Sequence, residues 1–153
     1  SLEALITWNR AHAEVAMPLF GQEIFEHAQA RGPLTDAAYI AARDDARRRA
    51  GQEGVLAAME KDHLDAIVAP ATGPAWRTDT VTGDHFSGFG AAAAAVAGTP
   101  SITVPMGDAR GLPLGMVFLG RPYSEAELLG FAYAFEQATH ARKPPTYVPT
   151  LER

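Results

Sequence analysis

The sequence of 153 residues contains no cysteine, so disulfides, thiolate metal sites and thiol nucleophiles are excluded. It also contains no apolar run close to the ~20 residues that a membrane-spanning helix needs. The N-terminal residues show no signal-peptide pattern, and we therefore expect a cytoplasmic protein without a membrane partner. The chain begins Ser1-Leu2 instead of with methionine, as we would expect of a piece excised from a longer protein.

Positive charge is also scarce. Lysine and arginine together number 13 against 18 aspartates and glutamates, and the net charge of −5 argues against a nucleic-acid partner. The densest basic cluster is Arg47-Arg48-Arg49, and a helix spreads three consecutive residues around its axis. We therefore interpret the cluster as a solvated helix face and not as a phosphate site. The hydrophobic fraction of 47% and the charged fraction of 20% are typical of one globular domain.

The chain is organised around residues 91–120. Residues 91–97 are almost all alanine and predict a short helix, which Gly98 and Pro100 end. Residues 101–104 predict a strand that Pro105 stops. A turn-rich stretch then leads to residues 114–119, which are apolar without alternation. Burial of a strand on both faces explains such a run, and the pattern therefore predicts a layered α/β fold.

The remaining segments are mostly helical in pattern. Residues 3–16 and 20–30 carry apolar side chains at helical spacing. Residues 36–62 predict one long helix with a bend near Gly51 and Gly54, since each glycine costs about 1 kcal/mol relative to alanine. Residues 65–69 predict a short strand.

The last helix is predicted from its start signal and its periodicity. Ser124 followed three residues later by Glu127 matches a capping box. The positions i, i+3, i+4 and i+7 are apolar, at Leu128, Phe131, Ala132 and Phe135. Pro144-Pro145 ends the helix, and the tail to Arg153 is predicted to be extended.

Residues 71–90 form the one long irregular stretch. Loops of this length in a compact domain are usually functional or disordered, and the aromatic residues here argue against disorder. The stretch either lines a ligand pocket or covers an edge of the core. Asp84-His85 with Ser87 has the residue types of a Ser-His-Asp triad, but neighbours along a chain rarely point at one another, so we reject that interpretation.

Several short motifs carry a resemblance to a known family. The chain resembles the C-terminal half of amidase-signature hydrolases, and two further segments narrow the resemblance to the peptide-amidase-like branch. The shared motifs are Ala97-Gly98-Thr99-Pro100-Ser101-Ile102-Thr103-Val104-Pro105, Gly111-Leu112-Pro113-Leu114-Gly115, Arg121, Glu127-Leu128-Leu129 and Ala132-Tyr133-Ala134-Phe135-Glu136. The narrowing segments are Gln137 to Pro145, and Phe20-Gly21-Gln22-Glu23 with Gly73-Pro74-Ala75-Trp76.

The resemblance implies a fold and a missing partner. Residues 1–153 would be a single C-terminal fragment of an α/β/α fold, with helices packed on a mixed sheet and the catalytic N-terminal half absent. That half would be the partner in the full-length protein, which would act on a small amide substrate. Without it, the fragment would expose an unpaired sheet edge and form a homo-oligomer.

The family uses a Ser–cis-Ser–Lys triad, which needs a deprotonatable lysine beside a hydroxyl. The only lysines here are Lys61 and Lys143, and neither lysine nor any of the four serines lies in the family's catalytic motifs. The resemblance therefore implies no catalytic residue, no metal and no cofactor in this chain. The expected contribution is one wall of the substrate pocket, formed by Trp76, Asp84, His85, Phe86 and Ser87.

Two functions remain open from the sequence. The chain is either part of a carboxamide hydrolase that is inactive alone, or a non-catalytic binding or scaffold module that keeps the amidase half-fold. An independent small α/β hydrolase would need a G-x-S-x-G nucleophile elbow, which Ser87-Gly88-Phe89-Gly90 does not provide.

Overall fold

The computed structural model describes residues 1–147. They form two compact units, which we describe separately. The first comprises Ser1–Ala42 with Asp79–Gly83, and the second comprises Arg43–Thr78 with the described residues from Asp84 onward. Within the described part of the chain, no helix is long and apolar enough to cross a membrane.

Short helices make up the first unit: α1 (Leu2–Ala11), α2 (Ala13–Ala16) and α3 (Glu23–Gln29). The predicted continuous helix over residues 3–16 is wrong at His12, where the backbone leaves helical geometry at φ −124° and ψ 32°. Gln22 is buried and links α1 to the start of α3. Its side chain donates to the Ile6 carbonyl (3.1 Å) and accepts from the Asn9 amide (3.0 Å).

The predicted bend in the long helix is a π-helical turn. Helix α4 (Ala37–Ala50) continues through the π-turn Gly51–Val55 into α5 (Leu56–Lys61). A Cβ on Gly51 would lie 3.4 Å from the Cβ of Ala97, at the end of the alanine helix α6 (Ala92–Ala97). The wide turn and the small residues therefore let α6 pack closely against the π-turn.

The sheet has three strands, β1 (Ile67–Pro70), β2 (Ser101–Ala109) and β3 (Leu112–Leu119), in the order β1-β3-β2. Both pairings are antiparallel. The prediction that Pro105 ends β2 is wrong, because the strand continues to Ala109. Pro105 lies opposite Gly115, and its nitrogen faces away from β3, so the missing N–H removes no hydrogen bond from the ladder.

The hairpin between β2 and β3 is tighter than the predicted stretch of turn residues. Its two central residues, Arg110 and Gly111, both have positive φ (54° and 80°), as a type I′ turn requires. Asp108 fixes the turn, because its carboxylate accepts the Gly111 N–H at 2.9 Å.

Alternate residues of β3 enter two different cores, which explains its unbroken apolar run. On one face Val117 and Leu119 pack with Val55, Met59 and Ala94 from the π-turn, α5 and α6. On the other face, Phe118 and Val104 pack against Leu128 and Ala132 of α7 (Glu125–Thr139). The predicted α/β class with helices packed on the sheet is confirmed. A mixed sheet was expected, but within residues 1–147 both strand pairings are antiparallel.

The ends of α7 differ from the prediction. Ser124 occupies the N-cap position, but the capping box is wrong, because its hydroxyl donates to the Arg121 carbonyl (2.8 Å) and makes no cap hydrogen bond. The helix ends at Thr139 before the proline pair, with His140 in the left-handed conformation (φ 46°). The predicted extended tail lies largely at residues 148–153, outside the described residues.

Candidate functional site

Both ends of the irregular stretch 71–90 are fastened at one end of the sheet. Where β1 stops, the Ala71 N–H donates to the Gly115 carbonyl of β3 at 2.7 Å. The Gly90 N–H donates to the Ala71 carbonyl at 2.8 Å. The stretch therefore leaves and rejoins the sheet beside the last residue of β1.

Three of the five predicted site residues form a cluster within this stretch. The Trp76 indole N–H donates to the Asp84 carboxylate at 2.6 Å. The rings of Trp76 and Phe86 meet edge to face, with centroids 6.2 Å apart and planes at 61°. The carboxylate therefore fixes the orientation of the indole, and the indole in turn packs on Phe86.

The other two predicted residues lie next to this cluster along the chain. A Cβ on Gly73 would lie 1.9 Å from the Ser87 hydroxyl oxygen, so the backbone at Gly73 packs directly against that side chain. The Thr72 hydroxyl donates to the Gly88 carbonyl at 2.9 Å, which ties the two arms of the stretch together. His85 lies between Asp84 and Phe86 and is exposed.

The cluster is an open surface and not a closed cavity. Trp76 is 38% exposed and Phe86 is 60% exposed. An oriented indole, a phenyl ring and a carboxylate together offer apolar area and a hydrogen-bond acceptor. Such a surface can form one side of a pocket whose other sides come from elsewhere.

Sequence reasoning missed the contacts that hold this surface. Trp76 and Asp84 are eight residues apart in an irregular segment, a spacing that no periodic pattern identifies. The Thr72–Gly88 and Gly73–Ser87 contacts likewise follow only from the folded path. A glycine followed by proline at residues 73–74 was the available signal, since it marks a turn where backbone can approach closely.

One turn in the first unit, at residues 79–82, is indicated by its sequence. The Asp79 carboxylate accepts the backbone N–H groups of Val81 (2.8 Å) and Thr82 (2.9 Å) and also the Thr82 hydroxyl (2.5 Å). These hydrogen bonds, led by the Thr82 hydroxyl, lower the pKa of Asp79. Aspartate in a turn typically accepts a hydrogen bond from the backbone two residues on, as Asp79 does from Val81.

The basic cluster on α4 is paired with acidic neighbours. The Arg48 guanidinium contacts both Asp45 and Glu53, and Arg49 lies 2.8 Å from Asp45. Hydrogen bonds from Arg48 and Arg49 lower the pKa of Asp45. The interpretation of this cluster as a solvated helix face agrees with these exposed pairs. Within residues 1–147, no group of three or more His, Asp or Glu side chains is placed to hold a metal ion.

Comparisons with known proteins identify the family to which this chain belongs. The sequence model of the family described as Amidase matches residues 7–129. The chain belongs to the amidase family. A probable amidase of Arabidopsis thaliana is 33% identical over 150 residues, which are 97% of this chain and 26% of that protein.

Solved amidase structures agree in both sequence and fold. The native peptide amidase of Stenotrophomonas maltophilia superimposes with a TM-score of 0.86 at 51% identity, over 96% of this chain and 29% of that one. A peptide amidase in complex with the competitive inhibitor chymostatin gives a TM-score of 0.90 at 52% identity, over 96% of this chain and 30% of that one. The chain thus spans less than a third of these relatives and corresponds to their C-terminal portion, and the predicted resemblance to the peptide-amidase-like branch is confirmed.

Proposed function

We propose that this chain is the C-terminal portion of a hydrolase that cleaves carboxamide C–N bonds, with peptide amides as its substrates. The observation that carries the proposal is the 52% identity to a peptide amidase at a TM-score of 0.90, across 96% of the chain. In this proposal the N-terminal portion supplies the nucleophilic serine, the bridging serine and the lysine base. The chain contributes part of the sheet and part of the pocket, and it is inactive alone.

The polar contacts inside the chain support the assignment of the catalytic residues to the N-terminal portion. The Lys143 ammonium donates to the Asp108 carboxylate at 2.6 Å, so this lysine is engaged in an ion pair. The Ser124 hydroxyl donates to the Arg121 carbonyl, and Ser87 packs against Gly73. A nucleophilic serine needs a neutral base within hydrogen-bond reach, which these pairings do not provide.

We place the pocket wall at Trp76, Asp84, His85, Phe86 and Ser87. The orientation of the Trp76 indole by Asp84 supports this placement, since a wall that selects substrates must hold its side chains in a fixed geometry. The partial exposure of Trp76 and Phe86 supports it as well, because a pocket wall must be reachable from solvent before substrate binds. We further propose that the chain self-associates when it is isolated, through its open sheet edges.

The proposal is tested by combining the chain with the N-terminal portion of the Stenotrophomonas peptide amidase. Release of ammonia from an amidated peptide should appear in the mixture and be absent from either portion alone. Turnover by this chain alone that survives purification and is lost in Ser87→Ala would contradict the proposal. A stable complex that is inactive toward a broad panel of amides would favour the scaffold function instead.

A further inference from the structure

We infer that Trp76, Asp84 and Phe86 bind a cationic side chain of the substrate, so that peptide amides carrying lysine or arginine are preferred. The inference rests on the proposed function and adds the class of side chain that the pocket wall selects. The aliphatic part of that side chain packs on the two rings, and its ammonium or guanidinium group pairs with the carboxylate.

Asp84 keeps hydrogen-bonding capacity for a ligand. Its Oδ1 atom accepts the Trp76 indole N–H at 2.6 Å, whereas a carboxylate offers two oxygens and about four lone-pair positions. Within residues 1–147, Asp84 forms an ion pair with no cation. An ammonium or guanidinium group adds Coulombic attraction to its hydrogen bond with a carboxylate, and a neutral amide does not. The remaining capacity of Asp84 therefore favours a cationic donor.

The two rings provide a surface for the rest of the side chain. Trp76 and Phe86 meet edge to face, with centroids 6.2 Å apart, and both remain partly exposed. Lysine and arginine pack their aliphatic stems along apolar surface and keep the charged head in a polar environment. A cation within about 6 Å of an aromatic centroid is also attracted by the negative face of the ring. An apolar stem with a cationic head therefore matches both parts of the cluster.

One hydrogen bond holds the carboxylate beside the ring before any ligand binds. Because the Asp84 Oδ1 atom lies 2.6 Å from the indole nitrogen of Trp76, a cation paired with this carboxylate also lies close to the indole. The neighbouring backbone is fixed as well, since the Thr72 hydroxyl donates to the Gly88 carbonyl at 2.9 Å. A surface that is already ordered loses less conformational entropy when it binds a ligand.

Two other aspartates show how Asp84 differs from a surface carboxylate that is already neutralised. The Asp108 carboxylate pairs with Lys143, and the Asp45 carboxylate pairs with Arg48. Asp84 instead lies against aromatic rings and pairs with no cation of the described chain. The net charge of −5 attracts any cation to this chain, so the experiment must separate a local site from that general attraction.

Hydrolysis by the two-portion complex provides the first test. This chain is combined with the N-terminal portion of the Stenotrophomonas peptide amidase. The substrates are N-acetylated oligoalanine amides in which one position carries either lysine or norleucine, because norleucine has the same aliphatic stem without the ammonium group. Each position is varied in turn. At the position that reaches the cluster, we expect kcat/KM to be about fivefold higher for lysine than for norleucine.

Two asparagine variants separate the site from the overall charge. Asp84→Asn keeps an oxygen that can accept the Trp76 N–H and removes the negative charge. In this variant we expect lysine and norleucine peptides to react within about twofold of each other, with turnover of the norleucine peptide unchanged. Asp62→Asn changes the net charge equally at an exposed residue outside the cluster, and it should keep the preference. If Asp84→Asn does not fold, the comparison of the two peptides with the unaltered chain still decides.

A binding measurement on this chain alone does not depend on hydrolysis. The chain has two tryptophans, and their Nε1–H resonances are followed by NMR while N-acetyl-lysine methylamide or its norleucine analogue is added. We expect the Trp76 resonance to shift, with a dissociation constant about fivefold lower for the lysine compound. Trp8 is stacked on His12 away from any paired carboxylate, and its resonance serves as the internal control that should not respond.

The outcomes separate this inference from the proposed function. A lysine preference in hydrolysis that only Asp84→Asn removes supports both. Hydrolysis without that preference, or with a preference that Asp84→Asn retains or Asp62→Asn equally removes, overturns the cation site and leaves the hydrolase intact. An inactive complex with an Asp84-dependent lysine preference at the Trp76 resonance supports the cation site and overturns the hydrolase. Absence of both hydrolysis and lysine preference overturns both.

Discussion

Replacing Gly90 with alanine is expected to destabilise the second unit, because the glycine lies where the irregular stretch rejoins the sheet. Its φ is outside the left-handed region, so the requirement for glycine is one of space. An added Cβ would lie 2.1 Å from the Pro70 carbonyl oxygen and 3.0 Å from Cγ1 of Val117. The first is a backbone atom and the second belongs to a fully buried side chain, so neither neighbour can rotate away.

The size of the effect follows from these two contacts. To bring the Cβ–oxygen distance to an acceptable value, the backbone segments must separate by about 1 Å, and overpacking of this kind costs typically 1–3 kcal/mol. The same movement lengthens the 2.8 Å hydrogen bond from Gly90 to Ala71. That bond contributes about 1 kcal/mol. We therefore expect a loss of at least about 2 kcal/mol, which lowers the Tm of a chain of this size by about 4–8 °C.

Gly130 provides the matched control. It lies within α7, and an alanine Cβ there would meet no atom within 4 Å. Because alanine is the better helix former, Gly130→Ala should raise stability by up to about 1 kcal/mol. Thermal unfolding followed by circular dichroism at one protein concentration measures both variants. A Gly90→Ala chain that melts at or above the wild-type temperature would refute the close approach of residue 90 to β1.

Two further predictions concern side-chain contacts. Trp76→Phe keeps the ring beside Phe86 and removes the N–H that Asp84 accepts. In the two-portion complex we expect KM for a peptide amide to rise about fivefold with kcat unchanged. This corresponds to a loss of about 1 kcal/mol of binding energy that the substrate and the transition state share. An unchanged KM would show that the cluster is not part of the pocket wall. Hydrogen bonds from Lys143 and, second, from the Gly111 N–H lower the pKa of Asp108 below its ordinary value of 3.8. The stabilisation by the Lys143 contact is therefore complete above pH 3.8 and is lost as the pH falls through the lowered pKa of the folded chain. An NMR titration of the Asp108 carboxyl should show this low midpoint, and Lys143→Gln should raise it; a midpoint at or above 3.8 in the unaltered chain would contradict the contact.

The elements that could be predicted are those where the local pattern and the packing agree. The apolar run of β3 predicted a strand buried on both faces, and Val117 and Phe118 do enter opposite cores. The i, i+4 positions Leu128 and Ala132 predicted the buried face of α7. For α7 the helical period identifies the side chains that face the core, whereas for β3 the lack of alternation indicates that both faces are covered.

The errors arose where contacts of the folded chain overrode a local signal. Pro105 is a strand breaker by propensity, yet the register with β3 turns its nitrogen outward and β2 continues. The Ser124 hydroxyl was predicted to cap α7, but it donates to the carbonyl of Arg121 in the turn before the helix and makes no cap hydrogen bond. The Trp76–Asp84 pair has no sequence signature, because its geometry depends on where an irregular segment folds back.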